Sequence, residues 1–315
     1  MGHRSNRERF RVPAAFANIA ARHRRRSGSQ SGPDSMVLSS PGVARYPYRA
    51  APFGLTLKRS DSRMISRPVL IVATGSTFPQ IAESQGDFGA WIARGLGEDV
   101  PHRLLDAQTA GVLPNPSEIA GVVLSGSHSM VSDREPWSER LAQWLTKCVE
   151  ADVPVLGICY GHQLLAHALG GVVSDRTNHE FEIGTHTVTL NANAEGDPLF
   201  DAMPARFDAQ LVHRQSVSRL PDGALLLAGS EGEACQAFRI GRAAWGVQFH
   251  PEFSAHAMRA YIHEMPVEAR DKGYDADALS AGVKETSDAA RLLPRFAAIV
   301  EAHESKGKSL AGEAA

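Results

Sequence analysis

"VLGICYGHQLLAHALGG", residues 155–171, packs an apolar run, a Gly-x-Cys-x-Gly and a helical pattern into seventeen positions. With Val153 and Pro154 before it, "VPVLGI" reads as a short buried strand, and "GHQLLAHALG" has the apolar spacing of a helix. Cys159 therefore falls on the turn between them, at the carboxyl edge of a sheet, where open α/β sheets bind their ligands. Gly157 and Gly161 permit close backbone approach and tight turning, by the logic of the Gly-x-Ser-x-Gly elbow of hydrolases. The positive end of a following helix can lower a cysteine pKa from about 8.5 into the range of roughly 3.5 to 7.5, and a thiolate nucleophile is the functional reading of this position. A small cysteine packed under the helix fits the same spot, since free cysteines are usually buried and inert.

Working outward, the chain alternates strands and helices. "RPVLIVATG" (67–75) is a buried strand running into a glycine, "GDFGAWIARGLG" (86–97) a helix, and "HRLLDA" (102–107) a strand, which together open a βαβ unit. "IAGVVLSGS" (119–127) is a further strand ending in a glycine-rich turn, and "PWSERLAQWLTKCVEA" (136–151) a helix entered at Pro136. These strands are apolar on both faces, which predicts a mostly parallel sheet covered by helices on both sides. After residue 180 the segments shorten: "IGTHTVTL", "DAQLVH", "ALLLAGS", "ACQAFRI" and "AAWGVQF" read as antiparallel additions to that sheet. From about 254 to 303 the pattern is helical.

A nucleophilic cysteine needs a base, and the base an orienting group. "WGVQFHPEFS" (245–254) supplies both: His250 and Glu252 stand two residues apart in a segment read as extended, so their side chains emerge on one side. Pro251 stiffens the step between them. Such a pair lets the imidazole take the thiol proton while the carboxylate fixes its tautomer. Taken alone, the pair also reads as a surface histidine followed by the Pro-Glu start of a helix; its place downstream of a cysteine elbow makes it telling. His162 and His167, within the elbow helix, read as packing or capping residues, and His256 and His263 sit at roughly helical spacing beyond the strand that carries His250.

"GICYGHQLLAHALGG" together with "GVQFHPEF" closely resembles the class I glutamine amidotransferases, the Cys-His-Glu glutaminase domains, with the GMP-synthetase-like branch nearest. The similarity spans about residues 68–255. It implies a flavodoxin-like open sheet, Cys159 as nucleophile, His250 as general base and then acid, and Glu252 as its orienter. It implies an oxyanion hole from the backbone N–H groups of Gly126 and Tyr160, and a substrate contact from Gln163. "LVHRQSV" (211–217) resembles the loop that reads the amino-acid end of glutamine, which adds His213 and Gln215; ordinary loop polarity explains these two equally well. The implied reaction runs through a γ-glutamyl thioester and needs neither metal nor organic cofactor. One departure stands out: where the family commonly has Leu-Ser-Gly-Gly-Pro, this chain has "LSGSHSMVSD" (124–133), with Ser127 and His128 in place of the Gly-Pro pair. That touches substrate and partner specificity more than the chemistry.

Composition bounds the rest. The chain has 315 residues, 43% hydrophobic and 22% charged, ordinary for a globular protein. Its three cysteines, Cys148, Cys159 and Cys235, form neither a disulfide framework nor a zinc-ligand spacing, which fits a reducing, cytoplasmic setting. No apolar run approaches the roughly 20 residues of a membrane span, so no membrane partner is expected. Residues 1–67 carry 14 Lys and Arg against 3 Asp and Glu, while the remainder carries 19 against 32. The basic, Arg- and Ser-rich leader is expected to be disordered, and reads equally as a targeting segment or as sequence upstream of a true start at Met64. The expected organisation is a leader at 1–67, one α/β domain at 68–303 and a polar tail at 304–315. The acidic core argues against a nucleic-acid partner. No Gly-x-x-x-x-Gly-Lys-Ser/Thr phosphate loop occurs in the sequence, so the expected partners are glutamine or a γ-glutamyl compound, and a separate synthetase that accepts the ammonia. The competing reading is a plain γ-glutamyl hydrolase or peptidase, and a non-catalytic binding protein is the third.

Overall fold

The computed structural model describes residues 65–176, 181–264 and 273–313. The expectations for residues 1–64, including the start at Met64, lie outside the described residues. Eleven strands are present among those described: β1 (Val69–Ala73), β2 (His102–Asp106), β3 (Gly121–Leu124), β4 (Val155–Ile158), β5 (Val172–Asp175), β6 (Glu182–Leu190), β7 (Arg206–His213), β8 (Gln215–Arg219), β9 (Leu225–Gly229), β10 (Ala237–Ile240) and β11 (Ala244–Val247). The helices are α1 (Pro79–Gln85), α2 (Phe88–Leu96), α3 (Pro136–Glu150), α4 (Tyr160–Ala168), α5 (Ala255–His263), α6 (Ala276–Gly282), α7 (Ser287–Ala290) and α8 (Leu292–Glu313).

Nine strands form one sheet in the order β2-β1-β3-β4-β11-β10-β9-β6-β7. β2, β1, β3, β4 and β11 run parallel, and antiparallel pairing begins between β11 and β10. The expectation of a mostly parallel sheet with antiparallel additions holds for β10, β9, β6 and β7, but not for β11. "AAWGVQF" is a central strand parallel to β4, and its four strand residues are all buried, as a position between two strands and two layers demands. β5 and β8 form a separate two-stranded antiparallel sheet, which the half-exposed "VVSD" did not announce by any apolar alternation.

Period-two alternation sorts the central strands between two cores. Val69 and Ile71 of β1, with Leu156 and Ile158 of β4, join Ile92 of α2 and Phe296 of α8 on one face. Leu70, Val72 and Val155 join Leu141 and Leu145 of α3 and Leu164 of α4 on the other. α8 continues past residue 303, where a polar tail was expected, because Glu304 is a buried anchor: it accepts from Ser66 N at 2.8 Å and Arg67 Nε at 2.9 Å. The last residues of the segment read as leader are thereby fastened to the domain.

The two elbow glycines are explained by contact. A Cβ on Gly157 would lie 2.4 Å from the Gly161 carbonyl oxygen, and one on Gly161 2.6 Å from Leu124 Cβ. Glycine at both sites lets α4 start directly against β4 and β3. Backbone cannot swing aside as a side chain can, so Gly157→Ala is expected to destabilise the fold by about 1–3 kcal/mol, read as a lowered midpoint in thermal or urea unfolding; an unchanged midpoint would contradict this packing.

Candidate active site

The sheet order assembles the site. β3, β4 and β11 are neighbours, and their carboxyl ends lead into the loop carrying Gly126, into Cys159 and into the segment carrying His250. The positive φ that the abrupt turn requires is taken by the cysteine itself (φ 51°, ψ −101°) and by neither flanking glycine. A non-glycine residue in such a conformation is strained by on the order of 1–3 kcal/mol and is held by its surroundings. Here the Cys159 N–H donates to Val247 O at 2.8 Å, its carbonyl accepts from Gln163 N at 3.1 Å, and its Sγ lies 3.6 Å from Val212 O. Cys148 and Cys235, by contrast, are buried thiols whose pKa burial pushes up to about 12, Glu233 adding to the effect at Cys235.

His250 and Glu252 are joined, though not by extended backbone. The chain turns at Pro251 and Glu252, with Phe253 N reaching His250 O at 3.4 Å, and this turn brings His250 Nδ1 to 2.8 Å from Glu252 Oε1. Proline fixes its own φ near −65°, which suits a turn as well as it suits a strand. Both side chains are buried, and among the described residues neither His250 Nε2 nor Glu252 Oε2 has a hydrogen-bond partner. Burial works to lower the imidazole pKa, but the Glu252 and Cys159 charges outweigh it and raise it to about 10. An imidazole pinned at Nδ1, free at Nε2 and electrostatically coupled to a thiol is equipped to hold and pass a proton.

The loop after β3 closes on this pair. A Cβ on Gly126 would stand 2.9 Å from His250 Cε1 and 3.7 Å from Cys159 Cβ, so only glycine lets the loop approach so near. The Ser125–Gly126 peptide is fixed through its carbonyl, which accepts from Gly161 N at 3.2 Å and Thr74 Oγ1 at 3.0 Å. Ser127 adds a staple: its hydroxyl donates to Thr74 O at 2.9 Å and accepts from Ser129 N at 3.1 Å. Tyr160 is the first residue of α4, so its N–H has no acceptor within the helix. Its ring anchors the elbow, stacked 5.6 Å from Trp137 with its hydroxyl 2.6 Å from Ser138 Oγ.

Gln163, His213 and Gln215 also meet, as a brace. Both N–H groups of Gln163 Nε2 are used, on Gln215 O at 2.8 Å and Gln248 Oε1 at 2.9 Å. His213 lies between Gln215 O at 2.9 Å and Glu182 Oε2 at 2.7 Å, and Gln215 Nε2 reaches Ser132 Oγ and Asp175 Oδ1 at 2.7 and 2.8 Å. Burial works to raise the Glu182 carboxyl, but the His213 hydrogen bond and charge, with Arg176, hold it below its ordinary range. Sequence reasoning missed Thr74, Glu182 and Gln248, polar residues inside or beside apolar strands that carry no periodic signal. Of the bystander histidines, His162 packs 5.0 Å from Phe238, its pKa brought down to about 3 chiefly by burial, and His167 pairs with Glu139 at 2.9 Å.

The profile of the glutamine amidotransferase class-I family matches residues 96–268, more than half of the chain. The chain belongs to that family. The glutamine-hydrolyzing GMP synthase of Leifsonia xyli is 39% identical over 158 residues, covering 49% of this chain and 29% of that one. That of Aeropyrum pernix is 35% identical over 185 residues, covering 58% of this chain and 32% of its own. The amidotransferase chain thus spans about a third or less of the length of these curated relatives. Among solved structures, a glutamine amidotransferase from Methylobacillus flagellatus matches with a TM-score of 0.54 at 28% identity, covering 76% of this chain and 95% of that one. One from Thermotoga maritima, at 24% identity, shares the fold with a TM-score of 0.58, covering 74% and 97%.

Proposed function

We propose that this chain hydrolyses the side-chain amide of glutamine through Cys159, releasing glutamate and an ammonia molecule destined for a synthetase. The observation that carries the reading is the His250 imidazole, bound at Nδ1 to Glu252, unpartnered at Nε2 and coupled to a cysteine on a strained strand-to-helix turn.

In the proposed cycle the sulfur of Cys159, its proton held by His250, attacks the γ-carbonyl carbon. The carbonyl electron pair moves onto oxygen, where the N–H groups of Gly126 and Tyr160 receive the charge. As the intermediate collapses, the C–N bond breaks and His250 gives its proton to the departing nitrogen. A γ-glutamyl thioester and ammonia result. Water then loses a proton to His250, adds to the thioester carbon and expels the sulfur, so glutamate leaves and the resting state returns. Glu252 holds the imidazole in one tautomer throughout. Gln163, His213 and Gln215 shape the end of the site that takes the amino and carboxylate groups of glutamine. The synthetase as acceptor is supported by the names of the GMP synthase relatives, which hydrolyse glutamine within longer chains.

The test is to follow glutamate and ammonia together from L-glutamine. Equal release of both supports the reading; no release of either from glutamine, with the folded chain present, contradicts it.

A further inference from the structure

We propose that His128 and Tyr261 set the leaving-group selectivity of this site, closing it to γ-glutamyl amides whose nitrogen carries a substituent. The inference rests on the glutaminase reading and adds to it a specificity-determining pair, His128 from the segment where the sequence departs from the family pattern and Tyr261 from α5.

The side of the thiol on which a leaving group must lie follows from the chemistry. His250 delivers the proton to the departing nitrogen, so any substituent on that nitrogen extends along the imidazole side, away from the Gln163 and Gln215 brace. A continuous row of rings begins at the His250 ring. Phe253 lies 4.3 Å from the His250 ring, Tyr261 5.6 Å from Phe253, Phe78 4.9 Å from Tyr261, and His128 4.8 Å from Phe78. The rings come from three separate segments: Phe78 from the β1–α1 loop, His128 from the loop after β3, and Tyr261 and Phe253 from α5 and the turn before it. His128 Nε2 and the Tyr261 hydroxyl share a hydrogen bond that ties the Gly126 loop to α5.

The row leaves little room. Cys159 is 7% exposed, His250 2% and Tyr261 7%, whereas His128 is exposed on the outer surface. Ammonia departs through such a wall without displacing a ring; an ethyl or larger substituent requires the His128 and Tyr261 contact to part. Glycine or proline at position 128 could neither make this bond nor supply a ring to Phe78. Ser127 beside it holds the loop to Thr74 through its hydroxyl, keeping His128 aimed at α5.

The experiment compares kcat/KM for L-glutamine and for γ-glutamyl ethylamide in the unaltered chain, in His128→Gly and in Tyr261→Phe. Tyr261→Phe keeps the ring and removes only the hydroxyl, so it serves where His128→Gly loosens the loop. The unaltered chain is expected to prefer glutamine strongly. Both variants are expected to shift the ratio toward the ethylamide, His128→Gly by about tenfold or more, through KM and kcat for the substituted substrate and with little change for glutamine. A general loss of structure would lower both substrates together. A ratio unmoved in both variants, or an unaltered chain that takes the two substrates equally, overturns the proposal. A second readout needs no turnover: the rate of Cys159 alkylation by iodoacetamide relative to N-phenyliodoacetamide, with Cys159→Ala as the blank. The variants should speed the bulky reagent selectively, and equal effects on both reagents overturn the wall. Absence of glutamine hydrolysis in the unaltered chain contradicts the glutaminase reading instead, and the alkylation ratio still decides whether these rings close that side of the thiol.

Discussion

Cys159→Ala should lower glutamine turnover by about a millionfold, the scale on which removing a nucleophile acts, while leaving the fold intact. The substitution keeps the Cβ and the backbone conformation and deletes only Sγ, which lies 3.6 Å from Val212 O and acts on the His250 imidazole. No other thiol stands in for it, since Cys148 and Cys235 are buried elsewhere with their pKa values pushed up to about 12. Ammonia release measured beside thermal unfolding separates the two effects. Turnover lost in a chain that still unfolds in one cooperative transition is the expected outcome; turnover at the unaltered rate contradicts the role proposed for Cys159.

Glu252→Gln is expected to reduce kcat by about 10²–10⁴, the upper figure being the scale of the comparable aspartate-to-asparagine change in a serine triad. The amide can offer Nδ1 of His250 a donor where the carboxylate offers only acceptors, favouring the wrong tautomer. It also removes the charge that, with Cys159, raises the imidazole to about 10 against burial. In the variant the histidine pKa should fall, and the alkaline limb of the pH–rate profile should move to lower pH. The stability consequence has a definite sign. A histidine whose folded pKa is raised from 6.5 to about 10 contributes stability that is fully present below pH 6.5 and is lost as pH rises through about 10. Glu252→Gln should therefore flatten the dependence of unfolding midpoint on pH across that window, and an unchanged dependence would sink the electrostatic account.

The sequence carried stronger signals for the candidate chemistry than for the side chains that support it. The central parallel strands were legible because burial on both faces leaves an unbroken apolar run, and the elbow because glycine two residues either side of a cysteine has few other uses. β11 reads as an antiparallel addition because its neighbours in sequence pair that way; its place beside β4 is set by a contact across 89 positions, Val155 with Ala244, which local pattern does not encode. His250 and Glu252 do meet, yet the backbone joining them is a turn and not the extended segment expected, because proline tolerates either conformation. Gln163, His213 and Gln215 were picked out as polar residues near the site, but how their nitrogens are spent depends on Glu182, Gln248 and Asp175, partners scattered through the chain. The ring wall left only one trace in the sequence, the replacement of a small pair by Ser127 and His128; its other half, Tyr261, sits in a helix where a tyrosine is unremarked.

The central claim is a covalent γ-glutamyl group on Cys159, and rapid acid quenching of the chain during turnover of isotopically labelled glutamine tests it most directly. Intact-mass and peptide analysis should find labelled glutamyl on the Cys159 peptide, released by hydroxylamine as a thioester would be, and none on Cys159→Ala. Steady release of glutamate with no label on that peptide at any quench time, in a chain whose Cys159→Ala variant still turns over, would contradict the account.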